Sequence, residues 1–315
     1  MIYELMMAIK EEIMDISIRE HHGYFSLDMG YYRGAGFCNH QVQRMRLSLI
    51  YILSGQGTLN INGHDFSYDA PALLCINESE VINIPCDASV CAILFHPSII
   101  NSALNFDNIR RSADSLNLTE QQDCFYFQPF LTRLPDFSGM LFPAFDTANR
   151  IQELFDSFSV QVTQQDNDHW ACRSRSNLIE LLSLANSCME HHHELFSAKK
   201  ESNNSEILRI IAYLESNLHT KITIADLTKR FQMNRTYLSR LFLNYTGETI
   251  MQFVNRTRME LASTLLRDTT IPMSEVMERA GFSDYSYFSK TFRKYKGMSP
   301  RNYRKKYCWM LPTLP

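Results

Sequence analysis

Hydrophobic and polar positions change their period along the chain, and each change marks a new kind of element. Between about residues 24 and 98 the apolar residues come in short runs. Arg46 to Ser54 is crowded with Leu, Ile and Tyr, and Thr58-Leu59-Asn60-Ile61 alternates apolar and polar. Such runs predict strands. Asn62-Gly63 comes next, and because a type I′ turn needs positive φ at both central residues, this pair predicts a hairpin. Further strands are predicted at Pro71 to Ile76, Val81 to Ile84 and Val90 to Phe95. Short strands with regular turns point to a small barrel or sandwich. From 144 to 197 the period becomes helical, with one stripe at Ile151, Leu154, Phe155, Phe158 and Val162 and a second at Leu178, Leu181, Leu182, Ala185, Met189 and Phe196. Two such helices can cover a barrel, and the second stripe is long enough to serve as a dimer seam.

Ala198 to Ser205 is small, polar and aperiodic, which predicts a linker. Beyond it the chain repeats itself with an offset of 50: Tyr237-Leu238-Ser239-Arg240 matches Tyr287-Phe288-Ser289-Lys290, Phe242 matches Phe292, Tyr245 matches Tyr295 and Gly247 matches Gly297. Each copy has a short helical pattern, a turn and a second helix. In the first, Ile224 to Phe231 leads through Gln232-Met233 to Asn234; in the second, Met273 to Ala280 leads through Gly281-Phe282-Ser283 to Asp284. Asn and Asp cap helix N-termini by accepting from orphan amides, and Gly281 suits a positive φ. Helix, tight turn and capped helix make a helix-turn-helix unit.

The second helix of each unit has two faces. Leu238, Leu241, Phe242 and Tyr245 in the first, and Phe288, Phe292 and Tyr295 in the second, are expected to pack inward. Arg235, Thr236, Ser239 and Arg240, and likewise Tyr285, Ser286, Ser289, Lys290 and Arg293, are expected to point outward, where short or cationic side chains can reach base edges and phosphates. Between the units Thr249 to Arg267 reads as one helix with Ile250, Phe253, Val254, Leu261, Ala262, Leu265 and Leu266 as its stripe. At ~1.5 Å per residue it spans roughly 28 Å. That is comparable to the ~34 Å between successive major-groove faces.

Charge sharpens this picture. The chain has a formal net charge of -3, but residues 205–307 hold 18 Lys and Arg against 9 Asp and Glu, leaving 13 basic and 25 acidic residues elsewhere. Such asymmetry fits one part meeting a polyanion and fits a solvated basic face equally well, so charge alone does not decide between them. A composition 45% hydrophobic and 21% charged is that of a globular protein, and runs such as Leu49 to Leu53 are too short to span a bilayer. The N-terminus carries Glu4, Glu11 and Glu12 without a basic segment before an apolar stretch, so no signal peptide is expected. Cys38, Cys75, Cys86, Cys91, Cys124, Cys172, Cys188 and Cys308 lack C-x-x-C spacing. Reduced thiols in a cytoplasmic protein are expected.

The stretch GFSDYSYFSKTFRKYKGMSPRNY at 281 to 303 strongly resembles the C-terminal signature of the AraC/XylS family of bacterial transcription regulators, and Arg258-Met259-Glu260-Leu261-Ala262 with Leu265-Leu266 resembles its linker-helix motif. The resemblance covers about 205 to 305. It departs at Thr228 and Met277, where the family usually has a small residue. It implies an α+β chain: a cupin-like effector-binding and dimerisation domain over 1–198 (barrel about 24–98, helices about 144–197), a linker over 199–204, and an all-α DNA-binding domain over 205–307. It further implies an activator bound as a homodimer to repeated promoter half-sites in double-stranded DNA, with RNA polymerase as a further partner and no membrane.

The upstream strands resemble the cupin barrel of sugar-responsive members, with Ser54-Gly55-Gln56-Gly57 and Asn62-Gly63 as turns. Where metal-binding cupins carry two His and a Glu, this chain has Val42, Arg44 and Ser48, with only His40 nearby. A catalytic metal needs about three protein ligands, so neither metal, cofactor nor enzyme activity is expected. His191-His192-His193 cannot converge on one metal from consecutive helical positions, and reads as a solvated helix C-terminus. Tyr31, Arg33, His40, Arg44, Arg46 and Tyr51 are the candidate contacts for a small effector such as a sugar. Two alternatives stay open: an N-terminal domain that only dimerises, and a cupin enzyme fused to a DNA-binding module.

Overall fold

The computed structural model describes residues 14–15, 28–39, 45–110, 116–133, 137–166, 169–197 and 202–308. They fall into two compact units, 1–143 and 144–315.

The first unit is a curled antiparallel sheet, a half-barrel. Its strands are β1 (Met14–Asp15), β2 (Met29–Cys38), β3 (Leu47–Ser54), β4 (Gln56–Ile61), β5 (His64–Asp69), β6 (Ala72–Ile76), β7 (Ile82–Phe95) and β8 (Met140–Leu141). They are ordered β1-β2-β7-β3-β6-β8, and β4 pairs with β5 and with the start of β7. Asn62 and Gly63 both have positive φ, 52° and 84°, and close the β4–β5 hairpin as its turn chemistry requires. The two strands expected at 81–84 and 90–95 are one 14-residue strand. Pro85 and Asp87 fall in the stretch of that strand left unpaired with β2, where the register shifts between Ala35 and Phe37, and pairing resumes on both sides of it.

Alternation gives the sheet two faces. Ile50, Ile52, Leu74, Ile76, Val90, Ala92 and Leu94 line the inner face, where they join Leu59, Ile61, Ile82 and Ile84 in one buried cluster. The intervening Leu49, Tyr51, Leu73, Cys91 and Ile93 are also buried, on the opposite face. On that second face Phe95 meets Phe130 edge-on at 5.7 Å. Phe130 sits on α2 (Gln128–Leu131), which follows α1 (Leu118–Cys124). Asn117 and Glu120 form a reciprocal capping box at the start of α1, fixing its first turn.

The second unit is helical: α3 (Phe145–Gln164), α4 (Trp170–Ser197), α5 (Ser202–Ser216), α6 (Ile224–Arg230), α7 (Arg235–Thr246), α8 (Ile250–Asp268), α9 (Met273–Arg279), α10 (Tyr285–Lys296) and α11 (Pro300–Tyr307). Helices α3 and α4 pair as a hairpin, and both pack on α5. This unit begins well before the composition changes at residue 198, and Ser202 to Asn204 open α5. The second stripe, long enough to serve as a dimer seam, is buried within one chain at Leu178, Leu181, Leu182, Ala185 and Met189. His191–His193 lie within α4, and their side chains are outside the described set, as is that of Phe196.

Two apolar cores follow in sequence. Ile207, Ile210 and Leu214 of α5, Leu227 of α6, Leu238 and Phe242 of α7, and Ile250, Phe253 and Val254 of α8 make the first. Met259, Ala262, Leu265 and Leu266 of α8, Val276 of α9, Phe288 and Phe292 of α10, and Cys172 of α4 make the second. The connecting helix α8 therefore puts its first half into one core and its second half into the other. Among the described residues no helix is long and apolar enough to cross a membrane.

Candidate nucleic-acid interface

Each repeat forms a helix-turn-helix: α6 and α7 in the first, α9 and α10 in the second. The residue two positions past the first helix has positive φ in both, Gln232 at 54° and Gly281 at 74°. The caps are as the sequence requires. The Asn234 side chain accepts from the Tyr237 amide at 2.8 Å, and Asp284 accepts from the Tyr287 amide at 2.6 Å. Helices α7 and α10 both end on a left-handed glycine, Gly247 and Gly297. Thr228 and Met277 are accommodated half-buried: the Thr228 hydroxyl donates to the Ala225 carbonyl, and Met277 packs on the second core.

The outward faces are open. Arg235, Thr236, Ser239 and Arg240 are exposed on α7; Tyr285, Ser286, Lys290 and Arg293 are exposed on α10, with Ser289 half-buried. Neither helix contains an acidic residue. Inside, Leu238, Phe242, Phe288 and Phe292 are fully buried. Tyr245 and Tyr295 differ from expectation. They are 39% and 37% exposed, because they sit in the last turn, where each helix runs past the edge of its core. Asn244 and Lys294 extend the outward faces one turn beyond Arg240 and Lys290 and are exposed. Their i+4 spacing was the available signal.

The α3–α4 hairpin holds the first helix of both units. Asp146 of α3 pairs with Arg230 of α6. Arg279 of α9 donates to Asn177 and Glu180 of α4, each at 2.9 Å, and Arg173 of α4 meets Glu275 of α9 at 3.1 Å. Glu180 also accepts from Arg150 at 2.7 Å. A buried hydrogen bond of 2.6 Å joins Thr147 to Ser216. Arg150, Arg173, Asn177, His219, Glu275 and Arg279 line a polar cleft of about 620 Å³ between these elements. The His219 imidazole is held below its ordinary pKa, chiefly by burial and then by the Arg150 charge, against the opposing pull of Glu153 and Glu180.

Tyr31, Arg33 and Tyr51 share the sheet face opposite the apolar inner cluster, Tyr31 and Tyr51 buried and Arg33 exposed at the strand surface. Burial, then the charge of Cys91, pushes the Tyr51 phenol up to about 12. Arg46 is committed to Asp28 at 2.6 Å. His40 and Arg44 lie outside the described residues. Among the described residues no group of three or more His, Cys, Asp or Glu could hold a metal ion.

Two capped helices with acid-free outer faces, each set on its own core and joined by one rigid helix, define a tandem helix-turn-helix domain. Residues 227–306 match the family model described as a helix-turn-helix domain. The chain is 32% identical over 155 residues to a probable transcriptional regulator, LumQ, of Photobacterium leiognathi, covering 49% of this chain and 60% of that protein. It is 34% identical over 107 residues to the transcriptional regulatory protein HptR of Staphylococcus aureus, covering 34% of this chain and 42% of that one. The chain thus spans less than two thirds of the length of these relatives. Among solved structures, the C-terminal domain of AraT, a response regulator from Geobacillus stearothermophilus, is 26% identical, with a TM-score of 0.34, covering 36% of this chain and 95% of that domain. The C-terminal segment is a helix-turn-helix domain of the AraC type.

Proposed function

We propose that this chain is a sequence-specific DNA-binding transcription regulator and not an enzyme. One observation carries the reading: α7 and α10 each turn a cationic, acid-free face to solvent, and the 19-residue α8 seats one half in each core. At ~1.5 Å per residue that helix bridges roughly 28 Å, enough to offer both faces to neighbouring major grooves of one duplex. In this reading the chain acts in the cytoplasm as a homodimer at promoter half-sites, activates transcription beside RNA polymerase, and answers to an effector bound in the first unit. The relatives' names as transcriptional regulators support the DNA half.

A second reading keeps the DNA half and gives the first unit only a dimerising role. What favours it is the inner face of the half-barrel, filled by fully buried Ile50, Ile52, Val90, Ala92 and Leu94, with Tyr31, Arg33 and Tyr51 turned to the other side. A sugar finds few polar groups there. The test is the melting temperature of the full chain with sugars, sugar acids and amino acids. A ligand at a hundredfold excess over its Kd stabilises by about 2.7 kcal/mol, a shift of several degrees. A shift with one compound supports effector control, and none across a broad screen supports dimerisation alone.

A further inference from the structure

The turn before α10 in the second helix-turn-helix unit meets the segment leading into α6 of the first at a joint centred on Arg258. This residue lies on α8 where the first core ends at Val254 and the second begins at Met259. It is 7% exposed. Its Nε donates to the Leu218 carbonyl at 2.9 Å and its Nη2 to the Thr220 carbonyl at 2.5 Å. Both carbonyls belong to the segment that leads from α5 into α6, hence to the first unit. On its other side the guanidinium lies 5.4 Å from the ring centre of Phe282, in the turn of the second unit. Phe282 packs on Tyr287 and Phe288 of α10 at 5.7 and 5.5 Å. The turn itself comes so close that a Cβ on Gly281 would stand 1.9 Å from the Leu218 oxygen and 2.9 Å from the guanidinium.

A planar guanidinium suits this place in a way an ammonium does not. Its fork of donors reaches two carbonyls at once while its charge lies over an aromatic ring. The α3–α4 hairpin ties α6 and α9 each by its own ion pairs, and Arg258 adds a direct tie between the two units. Its donors hold the entry to α6 while the same guanidinium lies over Phe282 in the turn before α10.

We infer that Arg258 is a positioning residue that sets the angle between the two helix-turn-helix units, and with it the spacing of the two DNA segments they read. The inference rests on the DNA-binding reading above. It assigns to this side chain the discrimination between operators that differ only in the spacing between their two parts.

The experiment is selection from a random duplex library with the full chain, followed by sequencing. Wild type, R258A, R258K and the core variant L265A are compared at a temperature where circular dichroism shows each to be folded. Wild type should enrich two short motifs at one fixed spacing. R258A should enrich the same two motifs with the spacing spread over two or more adjacent values. R258K, with one donor point in place of a fork, should fall between. L265A should lower recovery and keep the single spacing, because it weakens the second core without touching the joint. A single wild-type spacing in R258A overturns the inference. Should R258A not fold, a single spacing in R258K overturns it instead. If wild type enriches no two-part motif, the DNA-binding reading itself fails, and that outcome is distinct from the others.

Discussion

Gly281 and Gly247 have nearly the same φ, 74° and 75°, but different surroundings. Nothing lies within 4 Å of a Cβ on Gly247, whereas one on Gly281 would run into the Leu218 carbonyl. Replacing Gly247 by Ala should therefore cost only the left-handed conformation, about 1–2 kcal/mol. G281A adds overpacking against backbone that cannot yield, for a total of at least ~3 kcal/mol. Equal losses in denaturant unfolding would show that the turn and the first unit do not touch. His219 gives a pH test. Its folded pKa lies below the ordinary value, so the unfolded chain binds the proton more readily. Stability from this group is complete above the unfolded pKa of roughly 6.5 and is lost as pH falls below it. H219Q should match wild type near neutrality and lose less stability than wild type on acidification. Parallel pH curves would remove His219 from that account. Residue-scale placement was the least legible part of the sequence. Tyr31 and Tyr32 are adjacent, yet pairing parity sends Tyr32 to the inner cluster and Tyr31 to the other face. No composition rule chooses between them.

At the scale of elements, α7 and α10 make parallel predictions. R240A and K290A should each weaken binding to a selected duplex, by ~1–3 kcal/mol if the lost contact is to a base edge. If the contact is to a phosphate, binding should weaken for all sequences alike and depend less steeply on salt. Affinity unchanged with both substitutions would place the DNA-reading surface elsewhere. These elements were legible because the repeat supplies its own control: Asn234 and Asp284 cap at equivalent positions, and Leu238 and Phe288 fill equivalent places. The connecting helix was legible for the same reason, its stripe marking both cores. The role of the hairpin was not. Arg279 and Glu180 are 99 residues apart in sequence, and Arg173 and Glu275 are 102 apart. Single charges at such separations leave no period to read. The hydrophobic stripe of α4 was visible, but a stripe states only that something covers it.

At the scale of the molecule, the hairpin and both helix-turn-helix units form one compact body. A fragment starting at residue 144 should unfold cooperatively and bind DNA. One starting at 203 loses the Asp146, Asn177 and Glu180 partners of Arg230 and Arg279, and Cys172 from the second core. It should melt at a lower temperature, and calorimetry of the two fragments checks this. Equal melting points would make the hairpin a separate piece. The central claim, that two outward helix faces on one rigid connector read two segments of DNA, meets its most direct test in a footprint. Hydroxyl-radical cleavage of a selected duplex bound by the fragment from 144 should show two protected windows on one side of the helix, about one turn or ~10 base pairs apart. K290A should erase one window and R240A the other. A single window, or two windows lost together on either substitution, would contradict the claim.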